Sequence, residues 1–450
     1  MDQLSSVYAD YIYSTSYEEL PENVVKQAKQ RIMDVVGLSM AGYKLLPFPK
    51  FIVDYYSKLG GAEEATIITT GAKVPAVNAA LVNAACAHAL DMDDGHRYAA
   101  LHPGTVIIPA SLAAAEMSNA TTKQLITGIV VGYEIMIRLG MAINPSSLER
   151  GFHITGTCGT FGAAAATAKI LGLGHEDTIG SLGMAGLQSG GLIQTNQDIH
   201  GSNVKPLTPG KAAMAGLLSS LIAKDGFRGP FKIFEGDAGF FKATADGVNE
   251  DLLTAGLGEK YEINNIYDKL HAACRHTNGP IDAALELAGK ANINGVAEIT
   301  CETYPAAIRL AGIKNPTTVS GARFSIPFSI ALALTEQDAG ADKYTEEYIE
   351  NKQIQCLAEK VQLLTSEKWD KLYPDRRGAT VKIVGSDGNS WSTEVELAKG
   401  EPENPASWDD LYNKYLNNAR LLITAQEAEN LSETIMELEK KSVGEMVKSF

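Results

Sequence analysis

The sequence is poor in the features that assign a function on sight. Its net charge is −15, and nowhere do Lys and Arg gather into the stripe that nucleic acid demands, so no nucleic-acid partner is expected. Five cysteines (Cys86, Cys158, Cys274, Cys301 and Cys356) are scattered, odd in number and without CxxC spacing. They read as reduced thiols of a cytoplasmic protein. The opening MDQLSSVYADYIY has no basic region followed by an apolar run, so no signal peptide is expected. The most membrane-like segment, Leu125 to Ile143, carries Glu134 and Arg138 one helical turn apart. A soluble buried helix with an i,i+4 ion pair explains it better than a membrane span.

Cofactor and metal signatures are missing too. Gly156, Gly159 and Gly162 are spaced GxxGxxG, not GxGxxG, and no strand precedes them. Gly210-Lys211 is not a Walker A, because Lys205 stands where the first glycine belongs and Ala212 where Ser or Thr does. There is no GxSxG elbow and no HExxH. His88, His96 and His102 with the nearby acids form a metal alternative, but they lack the spacing that places ligands on one helix face. Neither a metal nor a cofactor is expected.

What the chain does have is length and helical patterning. At 450 residues it is too long for one small core, which predicts two domains. Pro21-Glu22-Asn23 sets a helix start, and Val24, Ala28, Ile32, Val35, Val36 and Met40 recur at helical spacing toward a stop at Gly42. Further helices are predicted over Phe51–Leu59, Val74–Asp91, from the near capping box Thr121–Gln124 to Ile143, over His175–Leu192 and over Gly210–Lys224. The run ATIITT (65–70) predicts a hairpin or edge element, and QTNQDIHGSNVKPLTPG (194–210) a polar loop. Near Tyr261 the texture changes. Val296–Thr303 and Ala379–Val384 read as strands, the latter turned by Ser386-Asp387-Gly388 into Trp391–Leu397, with helices Phe328–Leu334 and Glu346–Val361 between. After Gly400-Glu401-Pro402 and Asn404-Pro405 the chain is helical again. The class is therefore mainly α, with a smaller α+β part inserted before the last helices.

Two stretches look like a site. AHALDMDDGHRYAALHPGTVIIPASLAAAE (87–116) ends a helix in Asp91, Asp93 and Asp94 and opens another at His102-Pro103-Gly104. GFHITGTCGTFGAAAATAKILGL (151–173) carries His153 on a Gly/Thr-rich loop, with the helix expected near Thr160. Histidines near helix starts and beside carboxylates suit acid/base chemistry, so His102, His153 and Asp91 are the catalytic candidates. The plainer alternative is capping and hydrogen bonding inside a buried loop. Asp93 and Asp94 are expected to cap helices or pair with Arg97, and His88 to be core. The loop Gly156–Gly162 can bind a carboxylate through backbone N–H groups, or be a helix-packing turn. Lys205, in VKPLTPGKAA, and Lys269, at the domain boundary, can close on an anion.

At these residues the chain resembles the MmgE/PrpD family, over nearly its whole length. The shared stretches are the two above together with VKPLTPGKAAMAGLLSSLIAKDGFRGP, DKLHAACRHTNGPIDAALEL, FSIPFSIALAL and GEPENP. The resemblance implies an all-helical domain (1–266 and 402–450), an inserted α+β lid (267–401), a site in the cleft between them, and a homodimer. It implies chemistry without metal or cofactor on small di- or tricarboxylates. Members include 2-methylcitrate dehydratases, iminodisuccinate epimerases and cis-aconitate decarboxylases, and dehydration is the first expectation, epimerisation the second. Carried over by position, the catalytic set is Asp91, His102, His153, Lys205 and Lys269, with Asp91 orienting an imidazole. The substrate-facing set is Gly156, Thr157, Gly159, Thr208, Cys274 and Asn278. Departures stand at Gly95, where relatives often have Thr or Ser, and at Thr208 and Asn278, where many have His. Cys274 stands where cis-aconitate decarboxylases have His. A non-catalytic carboxylate-binding relative is the rival reading.

Overall fold

The computed structural model describes residues 3–198 and 202–450; residues 199–201 of the polar loop and the first two residues lie outside the described residues. The molecule is mainly α-helical, with a small α+β part. Its central helix is Thr122–Ile143. Thr121 Oγ1 accepts from the Gln124 N–H while the Gln124 side chain accepts from the Thr121 N–H, a closed capping box. The helix is long and apolar enough to cross a membrane, yet 94% of its most apolar window is buried inside the fold. Arg138 Nε donates to Glu134 Oε1 at 2.6 Å, as the i,i+4 spacing predicts. Burial of that pair is tolerable because Arg138 also donates to Ala255 O and Glu134 accepts from the Glu262 N–H.

Small residues let neighbouring helices close on this one. A Cβ on Gly162 of helix Ile154–Ile170 would fall 2.6 Å from Met136 Cβ, so glycine sets the separation of the two axes. Gly42 acts in the same way and does not end its helix. Helix Glu22–Leu45 runs through it, because the missing side chain makes room for the main chain at Cys86 on helix Ala76–His88. A first hydrophobic core runs from Leu4 to Ile266 and is completed by Tyr415 to Val447 from the last helices.

A second core gathers residues from Ala272 to Val395, with Leu38, Ala41, Leu90 and Met92 reaching into it from the helical part. Its sheet has the order Val361–Thr365, Val296–Thr303, Ala379–Gly385, Ser390–Val395; the first pair is parallel and the others antiparallel. Val361–Thr365 is a strand that the sequence pattern did not disclose. The single helix expected over Glu346–Val361 is two, Glu346–Glu350 and Lys352–Glu359. Asn351 breaks it, its Oδ1 accepting from the N–H groups of Gln353 and Ile354. The run at 65–70 does contribute an edge element: Ala65–Thr66 pairs antiparallel with Lys73–Val74. The helix predicted over His175–Leu192 stops at Gln188, and the next long one begins at Leu207 rather than Gly210.

Candidate active site

Helix Ala76–His88 ends in a run of acids, and its first acid turns sharply. Asp91 has φ 54°, a left-handed conformation that costs an L-residue roughly 1–2 kcal/mol. Two buried lysines hold it there. Lys205 Nζ donates to Asp91 Oδ1 at 2.6 Å. Lys269 Nζ donates to Asp91 O at 2.7 Å and lies 3.4 Å from the same Oδ1. Burial alone would raise the Asp91 carboxyl, but the two ammonium groups outweigh it and hold the group well below the usual range. Lys205 also stands 5.7 Å over the Phe324 ring, from the second core.

The imidazoles lie beside this cluster. His102 Nδ1 is 2.7 Å from Asp94 O and 3.5 Å from Asp93 Oδ2. A carbonyl oxygen only accepts, so Nδ1 carries the proton and Nε2 the lone pair. His88 Nδ1 is 2.7 Å from Asp93 Oδ2, its Nε2 is buried without a partner among the described residues, and its ring packs edge-on against His102 with centroids 5.1 Å apart. His153 precedes helix Ile154–Ile170; its Nδ1 is buried and likewise unpartnered among the described residues. Burial brings His102 down to about 3, with Asp93 opposing and Lys269 reinforcing. His153 is lowered well below its ordinary value by burial and then by Lys205. Both rings are neutral bases at neutral pH.

A cavity of about 710 Å³ opens onto this cluster between the two cores. Asp91, His88 and Lys205 line it from the helical part, and Arg323, Phe324 and Tyr344 from the other. Lys269 touches the cavity wall through Asp91, and His102 through the ring of His88. The His102 N–H donates to Thr155 Oγ1 at 3.1 Å, which sets His153, two residues earlier in the chain, beside the same cluster. The five carried-over catalytic residues thus meet in one neighbourhood.

Several expectations need correcting. Asp91 orients no imidazole: its carboxylate is held by Lys205 and Lys269, and Asp93 is the acid that faces His88 and His102. Asp94 does cap, accepting from the Gly104 N–H at 2.9 Å and from Tyr133 Oη at 2.8 Å. Burial pushes its carboxyl up to about 7 against the pull of Arg31. Neither acid pairs with Arg97, which bonds Glu401 and Glu403 instead. His88 is buried but borders the cavity.

The stretch from Gly156 to Gly162 is not a loop, because the helix begins at Ile154. The N–H groups of Gly156 and Thr157 already donate to His153 O, and Gly159 packs against Val106 and Ala212. These three cannot cradle a carboxylate through their amides. Thr208 packs its methyl toward Gly156 and Gly191. Asn278 lies inside helix Arg275–Leu287 and donates to Cys274 O at 3.2 Å. Cys274 precedes that helix, and its N–H donates to Arg323 O. None of these six lines the cavity.

His88, Asp93 and His102 hold ligand-type atoms within 4.8 Å of one another, the group among the described residues closest to a metal set. Within it His88 Nδ1 bonds Asp93 Oδ2 at 2.7 Å, while His102 Nδ1 bonds Asp94 O.

Residues 7–252 match the MmgE/PrpD N-terminal domain, and residues 271–440 match the MmgE/PrpD C-terminal domain. The chain belongs to the MmgE/PrpD family. Among the relatives of this MmgE/PrpD protein is a cis-aconitate decarboxylase of Aspergillus terreus, 27% identical over 94% of this chain and 90% of its own. The cis-aconitate decarboxylase of Homo sapiens is 23% identical over 98% of this chain and 92% of its own. A mitochondrial 2-methylcitrate dehydratase of Yarrowia lipolytica is 23% identical over 86% and 78%.

Beyond the expected set, His88 and Arg323 line the MmgE/PrpD cavity and Asp93 stands behind His88. The first two were visible in the same motif but read as core and cap. Arg323 could have been flagged as a lone cation at the head of the apolar run FSIPFSIALAL.

Proposed function

We propose that this chain is a cofactor-independent lyase for a small di- or tricarboxylate, acting by proton removal α to a carboxylate, with dehydration as the net reaction. One observation carries the reading: a neutral His102 with its Nε2 lone pair fixed by the Nδ1–Asp94 O contact stands beside the buried Lys205–Asp91–Lys269 cluster. A net-acidic chain that nonetheless gathers cations at one cavity is suited to an anionic ligand.

The chemistry follows from the parts. The ammonium groups bind a substrate carboxylate and stabilise the enediolate-like charge that builds when its α-carbon loses a proton. An imidazole, His102 or His153, accepts that proton. The C–H electron pair forms the new C=C bond as the β C–O bond breaks. The departing hydroxide takes up the proton and leaves as water, which restores the neutral ring.

The names of the relatives favour a second reading. Cis-aconitate decarboxylases predominate among them, and loss of CO₂ followed by protonation of the carbanion asks for the same groups. The Cys274 substitution counts against it.

Proton NMR in D₂O on a panel of hydroxylated and unsaturated di- and tricarboxylates separates these outcomes. Alkene signals with water loss support dehydration, loss of a carboxylate supports decarboxylation, and deuterium exchange with inversion alone supports epimerisation. Unchanged turnover of a confirmed substrate by both His102→Gln and His153→Gln would falsify the acid/base assignment.

A further inference from the structure

Arg323 lines this cavity with two of its three guanidinium nitrogens unpartnered among the described residues. The residue is 3% exposed, and a buried guanidinium ordinarily finds acceptors for its five N–H groups. Here one contact fixes the side chain, Nη1 to Ala89 O at 2.8 Å. Nε and Nη2 are buried and have no partner among the described residues. These two atoms form the edge that grips a carboxylate with two parallel hydrogen bonds.

The polar groups around the side chain are engaged elsewhere. Asp91, the acid whose charge reaches Arg323, is engaged by two lysines. Tyr344 Oη donates to Ser329, and Thr318 Oγ1 accepts from the Gly321 N–H. Burial brings the guanidinium down to about 10, with Asp91 opposing, so it remains charged at neutral pH. Glu346 and Glu347, exposed side chains that also line the cavity, repel an anion from their end and drive its charge toward Arg323 and Lys205.

We propose that Arg323 is a specificity-determining residue that grips, through Nε and Nη2, a second carboxylate of the substrate, one that takes no part in the proton transfer. The cavity therefore selects acids with at least two carboxylates: one on the Lys205–Lys269 cluster beside the imidazoles, another on the Arg323 fork. This rests on the reading of the cavity as a carboxylate site. Anchoring a remote group is how binding energy orients the reacting carbon.

The test is calorimetric or NMR titration of the full chain with tricarballylate, glutarate and butyrate. Wild type should bind the tri- and dicarboxylate well above butyrate. Arg323→Gln should weaken tricarballylate and glutarate on the order of 100-fold, the size expected for losing one partner of a buried charged hydrogen-bond pair, and leave butyrate unchanged. Should Arg323→Gln fail to fold, Arg323→Lys keeps the charge but loses the two-pronged grip; it should cost about tenfold on the polyacids alone. Polyacid binding at wild-type strength in the folded variant, or an equal loss for all three acids, overturns the assignment. A wild type that binds none of the three overturns the reading of the cavity itself.

Discussion

Lys269, at the head of the segment that enters the second core, donates to the main-chain oxygen of Asp91 at 2.7 Å. Asp91 sits in the first stretch of the site with φ 54°. One ammonium group thus ties a strained turn of the helical part to the start of the α+β part, and its position tracks any movement between them.

Replacing Asp91 tests how much that cluster holds. Asp91→Asn leaves Lys205 and Lys269 buried without a formal counter-charge, and breaking a buried pair costs about 3–5 kcal/mol. The urea midpoint should fall by the corresponding amount and turnover should vanish. Adding Lys205→Met should recover part of the stability but none of the activity. An Asp91→Asn protein with the wild-type midpoint would show that these ion pairs contribute nothing.

The two bases should stay uncharged through the working range. Burial, with neighbouring lysines adding to it, lowers His102 to about 3 and His153 well below its ordinary value. Neither ring should take up a proton as pH falls from 8 to 6, so titration of a carboxylate at pH 6 in two buffers of different ionisation enthalpy should give the same apparent heat. A gap between the two buffers that narrows in His102→Gln or His153→Gln would show a ring protonating in that range.

Gly95 is set by Tyr267. A Cβ on Gly95 would fall 2.5 Å from Tyr267 Cζ and 2.9 Å from its Cε2, and the two backbones pair at that point. Gly95→Thr should destabilise by about 1–3 kcal/mol through overpacking. In a Tyr267→Ala background the same change should cost clearly less. A thermal shift of Gly95→Thr that is independent of residue 267 would show that the ring is not what excludes a side chain.

Glu401, in GEPENP, joins three segments. It accepts from Arg275 and from Arg97 while only 1% exposed. Its carboxyl is held below the usual range because the Arg275 and Arg97 charges overcome the effect of burial. Glu401→Ala leaves the buried Arg275 guanidinium without its carboxylate, while Arg97 keeps Glu403, and should cost about 3–5 kcal/mol in a denaturation curve, with Glu401→Gln milder because one acceptor remains. Equal losses for the two variants would locate the effect in the lost charge rather than in the acceptor and packing that glutamine keeps.

Much of this was legible in the residues. The capping box at Thr121–Gln124, the buried Glu134–Arg138 pair and the clustering of Asp91, His102, His153, Lys205 and Lys269 all lie in local spacing or in long motifs. Other features could not be read locally. Gly156 and Gly159 read as a carboxylate-binding loop, yet they are helix, because glycine at a close helix contact has the same one-letter signature as glycine at a turn. Asn351 looked like one more residue of a single helix until its side chain was seen to cap the second half.

The sequence by itself determined the class and the helical scaffold, since capping and periodicity act over a few neighbouring positions. The tertiary structure alone decided which acid serves which base. Asp91 and Asp93 are two residues apart and chemically the same. The left-handed turn at Asp91 sends one carboxylate to the lysines and leaves the other with the imidazoles, and contacts from distant segments select that turn.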